Sequence, residues 1–164
     1  MVAAPTRDEL FAILDAVKDP EVPVLSVVEL GIVRDAVADD SGVTITVTPT
    51  YSGCPAMRTI EEDIAAALEA RDMGPVTIRT VYAPAWTTDW IGANARAKLE
   101  AYGIAPPGAA DTVELVPLGR AEAVCCPYCG SRDTDLRAEF GSTACKAMWF
   151  CRACSQPFEE FKAI

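Results

Sequence analysis

Apolar residues at Leu10, Ile13, Leu14 and Val17 recur at intervals of three and four, the spacing of one helix face. Thr6-Arg7-Asp8-Glu9 just before them has the pattern of a capping box, so a first helix is predicted to about Lys18. Asp19-Pro20-Glu21-Val22-Pro23 ends it, because proline lacks the helical N–H donor and disfavours helical backbone in the residue before it. After an apolar stretch to Leu30, residues 32–38 and 43–48 read as strands. They flank the turn cluster Asp39-Asp40-Ser41-Gly42, which predicts an antiparallel hairpin.

The helical spacing returns at Met57, Ile60, Ile64 and Leu68, with Pro55 suited to the first turn of this second helix. Gly74-Pro75 closes that unit and residues 76–82 read as a third strand. Thr87 or Thr88 can cap a third helix bearing Trp90, Ile91, Ala95 and Leu99, with Gly103 beyond its end. Residues 106–110 look like a connector, and residues 111–118 are either an extra strand or the approach to the C-terminal segment. The pattern predicts three helices interleaved with three strands up to about residue 119, ahead of a short C-terminal ribbon segment, residues 120–164.

The ribbon is read from its cysteines. Cys126-Pro127-Tyr128-Cys129 and Cys151-Arg152-Ala153-Cys154 have the C-x2-C spacing of a four-cysteine zinc ribbon. Each pair belongs on a tight turn whose N–H groups point at sulfur, and Gly130 supplies the permissive backbone such a turn favours. Zinc suits four thiolates, and so does a single iron. Cys125 and Cys126 are adjacent, but only Cys126 gives the C-x2-C spacing with Cys129. A segment this short gathers little apolar core and needs a metal for stability.

Charge narrows the functional classes. The net charge of -10 arises wholly from residues 1–119, with 18 acidic and 8 basic residues, whereas residues 120–164 hold 6 of each. No basic stripe is present to neutralise phosphates, which argues against nucleic acid as a partner. No stretch approaches the ~20 apolar residues of a membrane span, and no signal-peptide pattern opens the chain, so a cytoplasmic protein without membrane association is expected. In that compartment the seven cysteines read as ligands, reactive thiols or buried fillers before disulfides. The chain has no histidine, which excludes Ser-His and Cys-His catalysis and the Glu-x-x-His pairs of a di-iron centre.

Cys54 precedes the second helix, where peptide dipoles and unpaired N–H groups would stabilise a thiolate. On the residues alone it reads equally as a packed cysteine. Asp19 and Glu21 likewise read as solvated turn residues, Cys145 as a small buried one, and Trp86 and Trp90 as core aromatics.

Asp19-Pro20-Glu21-Val22-Pro23 running on to Val33, together with Thr48-Pro49-Thr50-Tyr51-Ser52-Gly53-Cys54-Pro55, resembles the signature of the iron-sulfur cluster assembly domain shared by SufT-like proteins and the PaaD family. The ribbon resembles the PaaD family in particular, through Phe140-Gly141-Ser142-Thr143-Ala144-Cys145-Lys146 and Phe158-Glu159-Glu160-Phe161-Lys162. The resemblance implies an α/β (α+β) chain, with a small mixed sheet packed against helices over residues 1–119 and a small β zinc ribbon over residues 120–164, and a non-enzymatic accessory factor of the phenylacetyl-CoA epoxidase system in phenylacetate catabolism. Cys54 would be the cluster-handling thiol, Asp19 and Glu21 would lie beside it, and Cys126, Cys129, Cys151 and Cys154 would hold structural zinc. The implied partner is the iron-sulfur reductase component and the implied cargo a transient iron-sulfur cluster. One thiol cannot supply four cluster ligands, so either a homodimer pairs two Cys54 residues or other groups, Cys125 or Cys145 among them, assist. Two other readings stay open: a scaffold linking oxygenase and reductase, and a rubredoxin-like electron carrier.

Overall fold

The computed structural model describes residues 4–108 and 123–163. Residues 111–118, read as either an extra strand or the approach to the ribbon, and the expected division at 119/120 lie outside them. The described residues form two compact units, one made of residues up to 86 with 90–92, the other of 87–89 with the chain from 93 onward.

The first unit begins with α1, Arg7–Leu14, and its capping box is present: the Thr6 hydroxyl accepts from the Glu9 N–H, and the Glu9 carboxylate accepts from the Thr6 N–H at 2.8 Å. The helix stops one turn short of Lys18. Residues 17–19 are drawn instead into pairing with residues 25–27, through Val27 N–H to Val17 C=O at 3.0 Å and Asp19 N–H to Leu25 C=O at 3.1 Å. The Ser26 hydroxyl also binds the Asp15 carboxylate. These bonds across a short loop replace the helical ones the local pattern favours.

β1, Val33–Asp39, and β2, Gly42–Val47, form the expected antiparallel hairpin. α2, Met57–Glu69, carries the chain to β3, Val76–Thr80, which pairs parallel to β2 and completes a mixed sheet of order β1-β2-β3. Leu10, Leu14, Ile45, Val47, Ile60, Ile64 and Leu68 are fully buried where α1 and α2 pack on the sheet and on each other. Each such side chain contributes roughly 1.5–3 kcal/mol of burial free energy. Trp86 is core, donating its indole N–H to Leu30 C=O at 2.9 Å, whereas Trp90 is half-buried beneath the Arg34 guanidinium, 3.5 Å from its ring centroid.

The third helix starts later than the sequence suggests. Thr88–Trp90 is a single 3-10 turn, and α3 proper is Ala93–Tyr102, so Trp90 and Ile91 precede the helix rather than lie on its face. Gly92 separates the two, a residue that weakens a continuous helix. In the second unit, β5 (Thr134–Ala138), β6 (Lys146–Cys151) and β7 (Pro157–Phe161) are antiparallel neighbours. A two-residue strand, β4 (Ile104–Ala105), which the pattern did not predict, adds in parallel to β7.

Gly42 closes the hairpin with φ +129°, and an added Cβ would lie 2.2 Å from the Pro75 carbonyl oxygen. Gly42→Ala is therefore expected to destabilise the first unit by about 2–3 kcal/mol, read from denaturant midpoints.

Candidate metal centre and thiol site

The two C-x2-C pairs occupy matching turns. In the first, Gly130 N–H bonds Cys126 C=O at 2.9 Å and Cys126 N–H bonds Ser131 C=O at 2.9 Å. In the second, Cys151 N–H bonds Gln156 C=O at 2.9 Å. Each turn needs a left-handed residue directly after its second cysteine: Gly130, φ +73°, in one and Ser155, φ +57°, in the other. Ser155 was not singled out in the sequence, although its place in the repeat matches that of Gly130.

These turns bring the four sulfurs of Cys126, Cys129, Cys151 and Cys154 within 4.8 Å of one another. Cys126 and Cys154 are 3.7 Å apart, Cys129 and Cys151 3.6 Å. A tetrahedron with 2.3 Å metal–sulfur bonds has edges of about 3.8 Å, whereas a disulfide needs about 2.05 Å. The spacing fits four ligands around one zinc ion. Backbone N–H groups reach the sulfurs as expected, from Ser131 to Cys129, from Cys154 and Ala153 to Cys151, and from Gln156 to Cys154. As a set of thiols the group is unevenly poised. The N–H of Cys154 leads the groups that bring Cys151 down to about 7, while burial, then hydrogen bonds with Cys151 and Cys129, pushes Cys154 up to about 12. A bound divalent ion holds all four as thiolates.

Cys125 points away from this group: it is exposed, and its sulfur accepts from the Arg132 Nε–H at 3.4 Å. Cys145 is buried just before β6, 3.1 Å from the Thr143 hydroxyl.

The second constellation lies in the first unit. Cys54 is half-buried at the entry to α2, where the N–H groups of Ala56 and Met57 reach its sulfur. The expected stabilised thiolate is not what results. Burial raises the thiol first, the Ala56 and Met57 N–H groups oppose it, and the nearby Glu21 and Asp19 carboxylates raise it further; the balance is upward. Cys54 is thus held as a thiol beside two acids, and a cation arriving there would reverse the balance.

Asp19 is not a solvated turn residue. It is 6% exposed, and its Oδ1 accepts from the N–H groups of Glu21 at 2.8 Å and Val22 at 2.7 Å. Ser26 and Glu29 form a second capping box, with Ser26 N–H on the Glu29 carboxylate and Glu29 N–H on the Ser26 hydroxyl, both at 3.0 Å. The spacing Ser-x-x-Glu was the available signal for it. Among the described residues, the ribbon cysteines are the group of three or more cysteines or acids close enough to hold a metal; Cys54, Asp19 and Glu21 do not form such a group as they stand.

Residues 7–84 match the family model described as iron-sulfur cluster assembly protein, and residues 110–162 match the PaaD zinc beta ribbon domain. Over 163 residues the chain is 42% identical to an Escherichia coli (strain K12) protein that is provisionally named as a subunit of 1,2-phenylacetyl-CoA epoxidase, covering 99% of this chain and 96% of that one. The chain belongs to the PaaD family. An Fe-S protein maturation auxiliary factor of Porphyromonas gingivalis is 33% identical across 57% of this chain and 90% of its own length. The solved domain of unknown function DUF59 from Bacillus anthracis superposes with a TM-score of 0.53 at 31% identity, over 57% of this chain and 90% of that one. Both likenesses cover only part of the chain, whereas the Escherichia coli relative spans it. No helix among the described residues is long and apolar enough to cross a membrane.

Two outcomes are expected. Zinc content measured on purified protein should survive Cys125→Ser and be lost in Cys126→Ser. Glu21→Gln removes a charge that opposes ionisation of Cys54, so alkylation of Cys54 by iodoacetamide near neutral pH, followed by peptide mass spectrometry, should be faster than in the wild type.

Proposed function

We propose that this chain is a non-catalytic accessory factor that assists iron-sulfur cluster assembly or insertion in the reductase component of a phenylacetyl-CoA epoxidase system, in the cytoplasm. Cys54 is its working thiol, kept protonated by burial with Glu21 and Asp19 adding to it, and the zinc-bound ribbon is its structural partner module. The observation that carries this reading is a division of labour among the cysteines. Four are turned on one another in the ribbon, whereas Cys54, the first unit's cysteine, stands by itself at the entry to α2 beside two carboxylates. Supporting it are the 42% identity to a protein named as an epoxidase subunit and the 33% identity, over 57% of this chain, to a factor named for Fe-S protein maturation.

A cysteine raised by burial and acids holds its proton until a cation or an iron centre replaces it, which suits transient handling better than permanent ligation. With one thiol in the unit, the cargo takes further ligands from elsewhere, from a second copy of this chain, from the client, or from Cys125 or Cys145. The absence of histidine from the sequence leaves no imidazole for general acid–base work.

The test is to co-produce the reductase component with wild-type protein or with Cys54→Ser and to measure iron and acid-labile sulfide in the purified reductase. The variant is expected to keep its zinc and fold and to leave the reductase depleted of both. Equal cluster content with the two proteins would refute the role of Cys54, and stable stoichiometric co-purification with oxygenase and reductase regardless of Cys54 would favour a scaffold.

A further inference from the structure

Residues 85–109 fall between the two family matches, 7–84 and 110–162, and neither gives them a role. The structure joins most of them to the metal centre. β4 pairs with β7 through Ile104 opposite Glu159 and Ala105 opposite Glu160. Ala105, 1% exposed, belongs to the same buried cluster as the ligands Cys126 and Cys151, together with Ala147, Trp149 and Phe158. Tyr128, which lies inside the first C-x2-C turn, sets its ring against the C-cap of α3. Gly103 there has φ +92°, and an added Cβ would lie 2.7 Å from the tyrosine hydroxyl oxygen. Arg96 on α3 donates to both Thr88 C=O, at 2.9 Å, and Pro107 C=O, fastening the segments on either side of the helix to it.

We infer that the metal centre organises a unit larger than the ribbon, one that reaches back through β4 and α3 to Thr87. Metal binding and the folding of α3 are then two faces of one equilibrium. Two of the six core residues are metal ligands, so loss of the ion removes the surface on which Ala105 packs and releases the turn that holds Tyr128 against the C-cap of α3, and a ten-residue helix is marginal in water without tertiary packing. The metal state of the ribbon is thereby transmitted to a helix that lies outside the ribbon motif. By linkage the coupling runs both ways, so changes in α3 alter zinc affinity. This inference concerns the ribbon's own metal and stands independently of the role proposed for Cys54.

Hydrogen–deuterium exchange on the full chain, zinc-loaded and after zinc is withdrawn by a chelator, tests it. Peptides from 93–108 are expected to lose protection together with those from 146–161, while 57–69 keep theirs. Protection retained in 93–108 while the ribbon exchanges would overturn the inference, and so would equal loss in 57–69, because the coupling would then not be confined to this unit. The reciprocal measurement is zinc affinity by competition with a chromophoric chelator. Gly103→Ala and, as a milder variant remote from the ligands, Arg96→Met should each weaken binding, by about tenfold for Gly103→Ala. Wild-type affinity in both would sink the idea.

Discussion

Four sulfurs held within 4.8 Å of one another are tolerable as thiolates only around a cation. Ionised sulfurs at such spacing repel one another, and a cation at their centre offsets that repulsion. The rest of the second unit depends on resolving that repulsion. Cys126 and Cys151 are metal ligands and core residues at once, packed with Ala105, Ala147, Trp149 and Phe158, so the hydrophobic and coordinative contributions cannot be separated. Around this nucleus the sheet adds charged devices that need the same geometry. Lys146, 4% exposed, pairs with Glu159 at 3.1 Å, and burial of Glu159 is outweighed by Ser142 and Lys146, which hold its carboxyl below the ordinary range.

The first unit is built on the opposite plan. Its core is largely aliphatic, supplied by α1, α2 and the mixed sheet, with Trp86 added from beyond β3. Within it, the segment that carries the family resemblance is largely a folding device. Asp19 satisfies two N–H groups, Ser26 and Glu29 cap one turn, and Leu30 offers its carbonyl to Trp86. Gly31, φ +71°, lets the chain pass Trp90, whose Cβ would stand 2.9 Å from any added methyl. Asp19, one of the acids beside Cys54, is thus held by the backbone N–H groups of Glu21 and Val22.

The two thiol sites illustrate how backbone N–H groups compete with burial. In the ribbon, the N–H of Cys154 leads the groups that bring Cys151 down to about 7, whereas burial pushes Cys154 up to about 12. At Cys54, two similar N–H groups are outweighed by burial and by Glu21 and Asp19. Helix-start position is a weak guide to thiol reactivity when the surroundings are acidic and half dry.

Much of this was legible in the chain itself. The capping box at Thr6, the hairpin around Gly42, the face of α2 and the pairing of Cys126, Cys129, Cys151 and Cys154 are local or periodic patterns, and local patterns fix local geometry. What the sequence could not decide were outcomes of competition between distant segments. α1 yields its last turn because residues 17–19 find partners at 25–27. Trp90 and Ile91 leave the helix that their spacing suggested, and β4, two residues long, exists only because β7 offers it an edge. The protonation of Cys54 belongs to the same class. Its neighbours in the chain favour the thiolate, while burial and two acids more than thirty positions away disfavour it, and only the tertiary structure places those acids beside it.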